Sequence, residues 1–459
     1  MLLKNKINEM KSFIKNSNIL ASEEECYCYA EDSSNIIKSK KMPDVVVFAE
    51  TVEDIQNTLK YAYENEIPVI SRGAGTNMVG SCVAENGGII LNFSRMNKIL
   101  ETDKTNMTAR VQPGVVLGEL KNAANEIGLF FPPDPSNYEV STIGGAIAQS
   151  SGGALGLKYG TAKDYVLSLK VVTSNGELIT LGSKTSKSSA GYHLTELISG
   201  SEGTLAVIAE ATLKLIPKPE SQMSVFAYFD DIEKGSNAVS KIIDNGILPS
   251  AIDFMDKNSI QTVEEYAKCG LNTDMELLLL ITSDGDTCSV NNQIEQIKEI
   301  LQQSGSSDII TSGQKESALI WKARRSSFAS TARLAPDVVT DDIIVPRSNF
   351  ANMVKSCKNI AKKYNLNMCM VGHAGDGNIH PQIALNLENE EEFRRYMNAK
   401  AEIYDAAISL GGTISAEHGI GLEKKAYLQK AVDSTALDYM KMIKKVFDPK
   451  NILNPGKIF

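Results

Sequence analysis

Ser71-Arg72-Gly73-Ala74-Gly75-Thr76-Asn77 follows directly on a short apolar strand at residues 68–70, and its two alternating glycines let successive backbone amides turn toward one point. Such a nest binds an anion, a phosphate above all. It is not the dinucleotide fingerprint Gly-x-Gly-x-x-Gly, because Met78 stands where the third glycine belongs and no acidic residue follows a strand–helix unit at the expected distance. A second glycine-rich region runs through Ser141-Thr142-Ile143-Gly144-Gly145-Ala146 and Ser150-Ser151-Gly152-Gly153 to Lys158-Tyr159-Gly160. Either region alone reads equally well as a tight turn. Two nests together can bracket a pyrophosphate from both sides.

Around these nests, strand and helix alternate. Val45-Val46-Val47-Phe48-Ala49 is apolar enough for a buried strand, and Thr51-Val52-Glu53-Asp54 has the form of a capping box opening a helix that runs to Asn65. Further β-branched runs lie at 88–93, 108–111, 168–173, 177–181 and 205–216, with a helix at 117–127. Pro217-Lys218-Pro219-Glu220 then stops regular structure. Beyond it, strands at 224–229, 251–255 and 276–282 and helices at 232–245 and 290–304 suggest an antiparallel sheet with helices on one face. The expected class is α+β, divided into a helical segment at 1–35, a nest-bearing domain at 36–218 and a second domain at 219–459.

Composition narrows the function. A chain of 459 residues exceeds one core. Its net charge of −9 offers no broad cationic surface, which argues against nucleic acid as a partner. The 7 cysteines form no Cys-x-x-Cys pair and no ferredoxin-like run, so no iron–sulfur cluster is expected, and their scatter fits a reducing compartment. The N-terminus lacks the apolar stretch and cleavage site of a signal peptide, and the apolar run at 277–281 is too short for a bilayer. A soluble, cytoplasmic protein without a transmembrane segment is expected.

Histidine is the scarce residue, with 4 in the chain. Three stand in two motifs, Gly372-His373-Ala374-Gly375-Asp376-Gly377-Asn378-Ile379-His380-Pro381 and Ala416-Glu417-His418-Gly419. Clustered beside a carboxylate and glycines, they suggest a metal site with a spare imidazole for acid/base work. His193 lies outside the motifs and reads as structural, and Asp376 reads as a turn cap or as an orienting partner for a histidine.

From Pro43 to Lys218 the chain resembles the FAD-linked oxidases of the vanillyl-alcohol oxidase and p-cresol methylhydroxylase type. The motifs are residues 72–77, Val111-Gln112-Pro113-Gly114, Pro133-Asp134-Pro135-Ser136, Thr142-Ile143-Gly144-Gly145 and Ser201-Glu202-Gly203-Thr204. The resemblance implies a two-part FAD-binding domain and a C-terminal substrate (cap) domain, with the last ~45 residues returning to the flavin. It also implies that Arg72, Gly73, Ala74, Gly75, Thr76 and Asn77 wrap the pyrophosphate. Pro133, Asp134, Ser136, Thr142, Gly144, Gly145, Ser151, Gly152 and Gly153 would then line the flavin and ribityl chain, with Ile208 near the adenine. Glu202, Gly203 and Asn454 complete the implied cofactor set. Some members attach FAD through a histidine in the first loop. Thr76 and Asn77 occupy that loop here, which implies non-covalent FAD.

The second half resembles the D-2-hydroxy acid dehydrogenases within that superfamily, which act on D-lactate, glycolate or D-2-hydroxyglutarate. Gly-His-x-Gly-Asp-Gly-Asn-x-His and Glu-His-Gly-x-Gly carry the likeness, which continues to Phe447-Asp448-Pro449 and Asn454-Pro455-Gly456-Lys457. On this basis His373, His380 and Glu417 hold one divalent metal ion (zinc, manganese or ferrous iron), His418 is the base, and Asn378 hydrogen-bonds substrate. Trp321-Lys322-Ala323-Arg324 resembles the segment that places an arginine on the substrate carboxylate, a task suited to the bidentate guanidinium of Arg324. Arg325 stands where the family often has glutamate, and Thr340 replaces a lysine that assists a second carboxylate in the hydroxyglutarate enzymes. A small monocarboxylate follows, D-lactate ahead of glycolate. With no nicotinamide fingerprint or iron–sulfur motif, reoxidation implies a partner such as an electron-transferring flavoprotein, or a quinone. Two alternatives stand beside this reading: a metal-dependent hydrolase of a phosphorylated substrate, and a non-catalytic flavin subunit.

Overall fold

Val45–Phe48, Ile89–Asn92 and Val69–Arg72 are buried along nearly their whole length and pair in parallel, a pairing whose strands are usually covered on both faces. The computed structural model describes residues 4–37, 41–312 and 314–459. The expectations at 1–3, in the N-terminal helical segment, and at 38–40, near the start of the nest-bearing domain, lie outside them. Between Val45–Phe48 and Val69–Arg72 in the chain, the helix Val52–Asn65 opens on the full capping box, with Thr51 accepting from the Asp54 amide and Asp54 from the Thr51 amide. A two-residue strand, Ile19–Leu20, pairs antiparallel at the sheet edge. At the other edge Val69 N–H donates to Ile452 O at 2.7 Å and Asn454 N–H to Val69 O at 2.8 Å, so the chain's last residues extend the sheet beside the first nest.

Two compact units divide the chain. The first comprises Met1–Ser151, Thr161–Lys218 and Glu417–Phe459; the second comprises Gly152–Gly160 and Pro219–Ala416. The first unit also holds a five-stranded antiparallel sheet, ordered Ile99–Asp103, Thr108–Val111, Val207–Lys214, Val166–Val172, Leu178–Gly182.

In the second unit one antiparallel sheet runs Asp308–Ser312, Ser221–Phe229, Leu277–Gly285, Ala251–Asp256, Asn367–His373, Asn378–Leu385, Asp337–Thr340, with Ile343–Ile344 also on the penultimate strand. Its apolar strands are almost wholly buried, and Phe254 meets Phe350 edge-on with centroids 4.9 Å apart. The segment Gly152–Gly160 is fastened here, where Lys158 Nζ donates to Asp284 O at 2.7 Å and Tyr159 OH to the Asp284 carboxylate at 3.0 Å. Among the described residues no helix is long and apolar enough to cross a membrane.

Candidate active site

In the first unit a cleft of about 1260 Å³, counting its solvent-open part, is walled by the whole nest Ser71–Asn77, by Thr142, Gly144 and Gly145, and by Glu417 and His418. The nest begins where the strand Val69–Arg72 ends, and the sterics there require glycine. A Cβ on Gly75, whose φ is +76°, would lie 2.2 Å from the Arg72 guanidinium, and one on Gly73 would lie 2.2 Å from Thr142 Oγ1. Three buried polar atoms on the wall, Ser71 Oγ, Ser141 Oγ and Gln149 Oε1, have no hydrogen-bond partner among the described residues. Buried polar atoms left this way await a polar ligand. A long cleft with backbone-lined nests and unpaired polar atoms fits a dinucleotide of the FAD type.

Of the expected cofactor residues, Arg72, Gly73, Ala74, Gly75, Thr76, Asn77, Ser136, Thr142, Gly144, Gly145, Ser151, Glu202, Gly203 and Ile208 line this cleft. Pro133, Asp134 and Asn454 are not in its wall. Asp134 pairs with Lys121, and the Asn454 amide donates to Ser81 O and Glu202 O, both at 2.7 Å. Gly152 and Gly153 belong to the second unit. Ser81, Cys82 and Gln149 are wall residues that sequence reasoning passed over. Buried Glu202 accepts from Ser81 Oγ at 2.5 Å and from the amides of Ile420 and Gly421 at 2.7 and 2.8 Å. Burial pushes its carboxyl up, while these donors and Lys457 favour the ionised form. His193 is exposed on the surface, 3.7 Å from Glu196.

The second unit builds its polar centre on a hairpin. Asn367–His373 and Asn378–Leu385 pair with His373 opposite Asn378 and Val371 opposite His380, which puts both imidazoles on one face as diagonal neighbours. Their ring centroids stand 5.5 Å apart. Across the next strand pair Asp253 is opposite His373, and its carboxylate meets His373 Nδ1 at 2.7 Å and the Arg324 guanidinium at 3.0 Å. Burial pushes the Asp253 carboxyl up, but the charges of His373 and Arg324 outweigh it and hold it below its ordinary value. An ionised Asp253 fixes the proton on Nδ1 of His373 and makes Nε2 the ligating atom, the usual arrangement behind a metal-binding histidine. A histidine preset in this way, with a second imidazole beside it, suits a divalent ion.

Arg324 is buried on the helix Gln314–Arg325, and its Nε–H has no partner among the described residues. An unsatisfied guanidinium edge is a recognition element for a carboxylate. Asn378 has both amide hydrogens engaged, by Asp342 Oδ1 and Ile343 O at 2.8 Å each, so it can offer a substrate only its oxygen. Asp342 also accepts from Ser415 Oγ at 2.9 Å and the Ala416 amide at 2.8 Å, anchoring the chain immediately before Glu417. Asp253 and Asp342 were missed by sequence reading, although an acidic residue inside an apolar strand such as Ala251–Asp256 signals a buried pair.

Residues 218–458 match the family model for the C-terminal domain of FAD linked oxidases, and residues 43–182 match the FAD binding domain. The glycolate oxidase subunit GlcD of Bacillus subtilis is 44% identical over 92% of this chain and 90% of its own length. The D-lactate dehydrogenase of Anaerostipes hadrus is 36% identical over 92% and 90%. Among solved structures, p-cresol methylhydroxylase with substrate bound superposes with a TM-score of 0.83 at 17% identity, covering 99% of this chain and 97% of that one. These matches set aside the hydrolase alternative. Cleft, sheet order and family models agree, and the chain belongs to the FAD-linked oxidases.

Proposed function

We propose that this protein oxidises a small D-2-hydroxy acid, D-lactate to pyruvate, and passes the electrons to a partner protein. The observation that carries the reading is the single carboxylate of Asp253 holding both His373 Nδ1 and the Arg324 guanidinium. One buried anchor thus orients an imidazole suited to a metal ion and a cation suited to a substrate carboxylate. Arg324 binds that carboxylate. His373, His380 and Glu417 would hold the divalent ion, whose positive charge would ease removal of the hydroxyl proton. His418, on the wall of the cofactor cleft, takes that proton. Non-covalent FAD, bound in the cleft, would supply the two-electron acceptor for the hydride lost from C2. Reoxidation falls to an electron-transferring flavoprotein, or to a quinone.

Glycolate is the second reading, favoured by the name of the 44% identical relative. D-2-Hydroxyglutarate is disfavoured because Thr340, on the strand Asp337–Thr340, offers its distal carboxylate no positive charge. Anaerobic titration of the yellow holoenzyme with D-lactate, L-lactate, glycolate and D-2-hydroxyglutarate tests the assignment. D-Lactate should bleach the flavin first, and absence of bleaching by all four would end it. Chelation should abolish turnover, with zinc, manganese or ferrous iron restoring it. His418→Asn should stop flavin reduction; unchanged turnover would favour the non-catalytic flavin subunit.

A further inference from the structure

We propose that Glu202 is a positioning residue, whose carboxylate tethers the turn carrying His418 to the wall of the cofactor cleft. The proposal rests on His418 as the base. Glu202 is 5% exposed and stands at φ 53°, a left-handed conformation unusual outside glycine. That geometry turns its carboxylate across the chain toward the C-terminal segment. Oε1 accepts the Ile420 amide at 2.7 Å, while Oε2 accepts the Gly421 amide at 2.8 Å and Ser81 Oγ at 2.5 Å. The two amides lie two and three residues past His418.

The other side of the turn is held from the first nest. Asn77 Nδ2 donates to His418 O at 3.3 Å, and Asn77 Oδ1 accepts from the amides of Val79 and Ser81 at 2.9 and 3.0 Å. Val79 O in turn accepts from the amides of Leu422 and Glu423 at 2.9 and 3.2 Å. The fit leaves no room for slack. A Cβ on Gly419, at φ +87°, would lie 2.5 Å from Gln149 Oε1 and 2.8 Å from Glu202 Oε1. His418 and the turn that follows it are therefore held at residues 418, 420 and 421 by side chains rooted in the cofactor-binding loops. Because Glu202 spends both carboxylate oxygens on protein donors, its contribution to the cleft is to place the imidazole rather than to bind FAD.

The test compares wild-type, Glu202→Gln and Glu202→Ala holoenzymes in three measurements: bound FAD per chain, steady-state kinetics with D-lactate and glycolate, and amide hydrogen exchange of peptides spanning residues 417–423. Glutamine keeps the shape but turns an NH₂ group on donors. The expected result is a fall in kcat of about 10–100-fold with KM and FAD content within about threefold, and exchange at residues 420 and 421 about tenfold faster. FAD lost in proportion to activity, or exchange there unchanged, would overturn the tether. Should the alanine variant fail to fold, the near-isosteric glutamine variant still decides. His418→Asn is run in parallel: unaltered turnover in that variant overturns the base assignment, whereas unaltered exchange in the Glu202 variants overturns the tether.

Discussion

At the scale of single residues, Asp253 does the most with the fewest atoms. Its two oxygens hold His373 Nδ1 and the Arg324 guanidinium, and it is 2% exposed, so both groups would lose a buried partner together. Asp253→Asn keeps the volume but removes the charge that fixes the His373 tautomer. We expect metal affinity and kcat/KM to fall by about 10–100-fold, measured by metal content after dialysis and by steady-state kinetics. Gly75 makes the corresponding case in the nest. Gly75→Ala forces a Cβ onto the Arg72 guanidinium at positive φ, and the purified variant should be short of FAD, read from its visible absorbance per chain. Gly75 was legible in the sequence because glycine announces an unusual backbone. Asp253 was not, because its partner His373 lies 120 residues away along the chain.

Among the secondary-structure elements, the hairpin joining Asn367–His373 to Asn378–Leu385 sets the spacing of the imidazoles. Its turn closes with the Asp376 amide donating to His373 O at 3.0 Å, and Gly377 stands at φ +79°. A Cβ on Gly377 would sit 2.1 Å from Val345 O, a backbone atom with no freedom to yield. Gly377→Ala should therefore cost about 1–3 kcal/mol in chemical denaturation and lower metal content along with it. The turn was readable as Gly-Asp-Gly. The register was not, since a slip of one residue would send one imidazole to the opposite face of the sheet. In the hairpin Val371 pairs with His380, and the adjoining strand sets Asp253 opposite His373.

For the molecule as a whole, burial sets a pH dependence. Asp32 accepts from the Ser34 amide at 3.0 Å, and burial raises its carboxyl from 3.8 to about 6. A folded-state value above the unfolded one means the native state binds more protons between those limits, so Asp32 lowers stability as pH rises through that window. At ~1.4 kcal/mol per pH unit the penalty above pH 6 reaches at most about 3 kcal/mol, and solvent screening reduces it toward 1–2. Asp32→Asn should gain on the wild type above pH 6 and lose that advantage near pH 4, as shown by denaturation midpoints across the range. The sequence by itself determined the local features: the glycine nests, the capped helix Val52–Asn65, the apolar strands and the two histidine motifs, because each follows from short-range sterics and periodicity. Only the tertiary structure decided that Gly152–Gly160 packs with the second unit while Ser151 stays with the first, that Asn454 braces Ser81 and Glu202 instead of lining the cleft, and that Asp253, Asp342 and Glu202 orient the groups around them. Those pairings join residues tens to hundreds of positions apart, and buried charge selects them only once the sheets have formed around it.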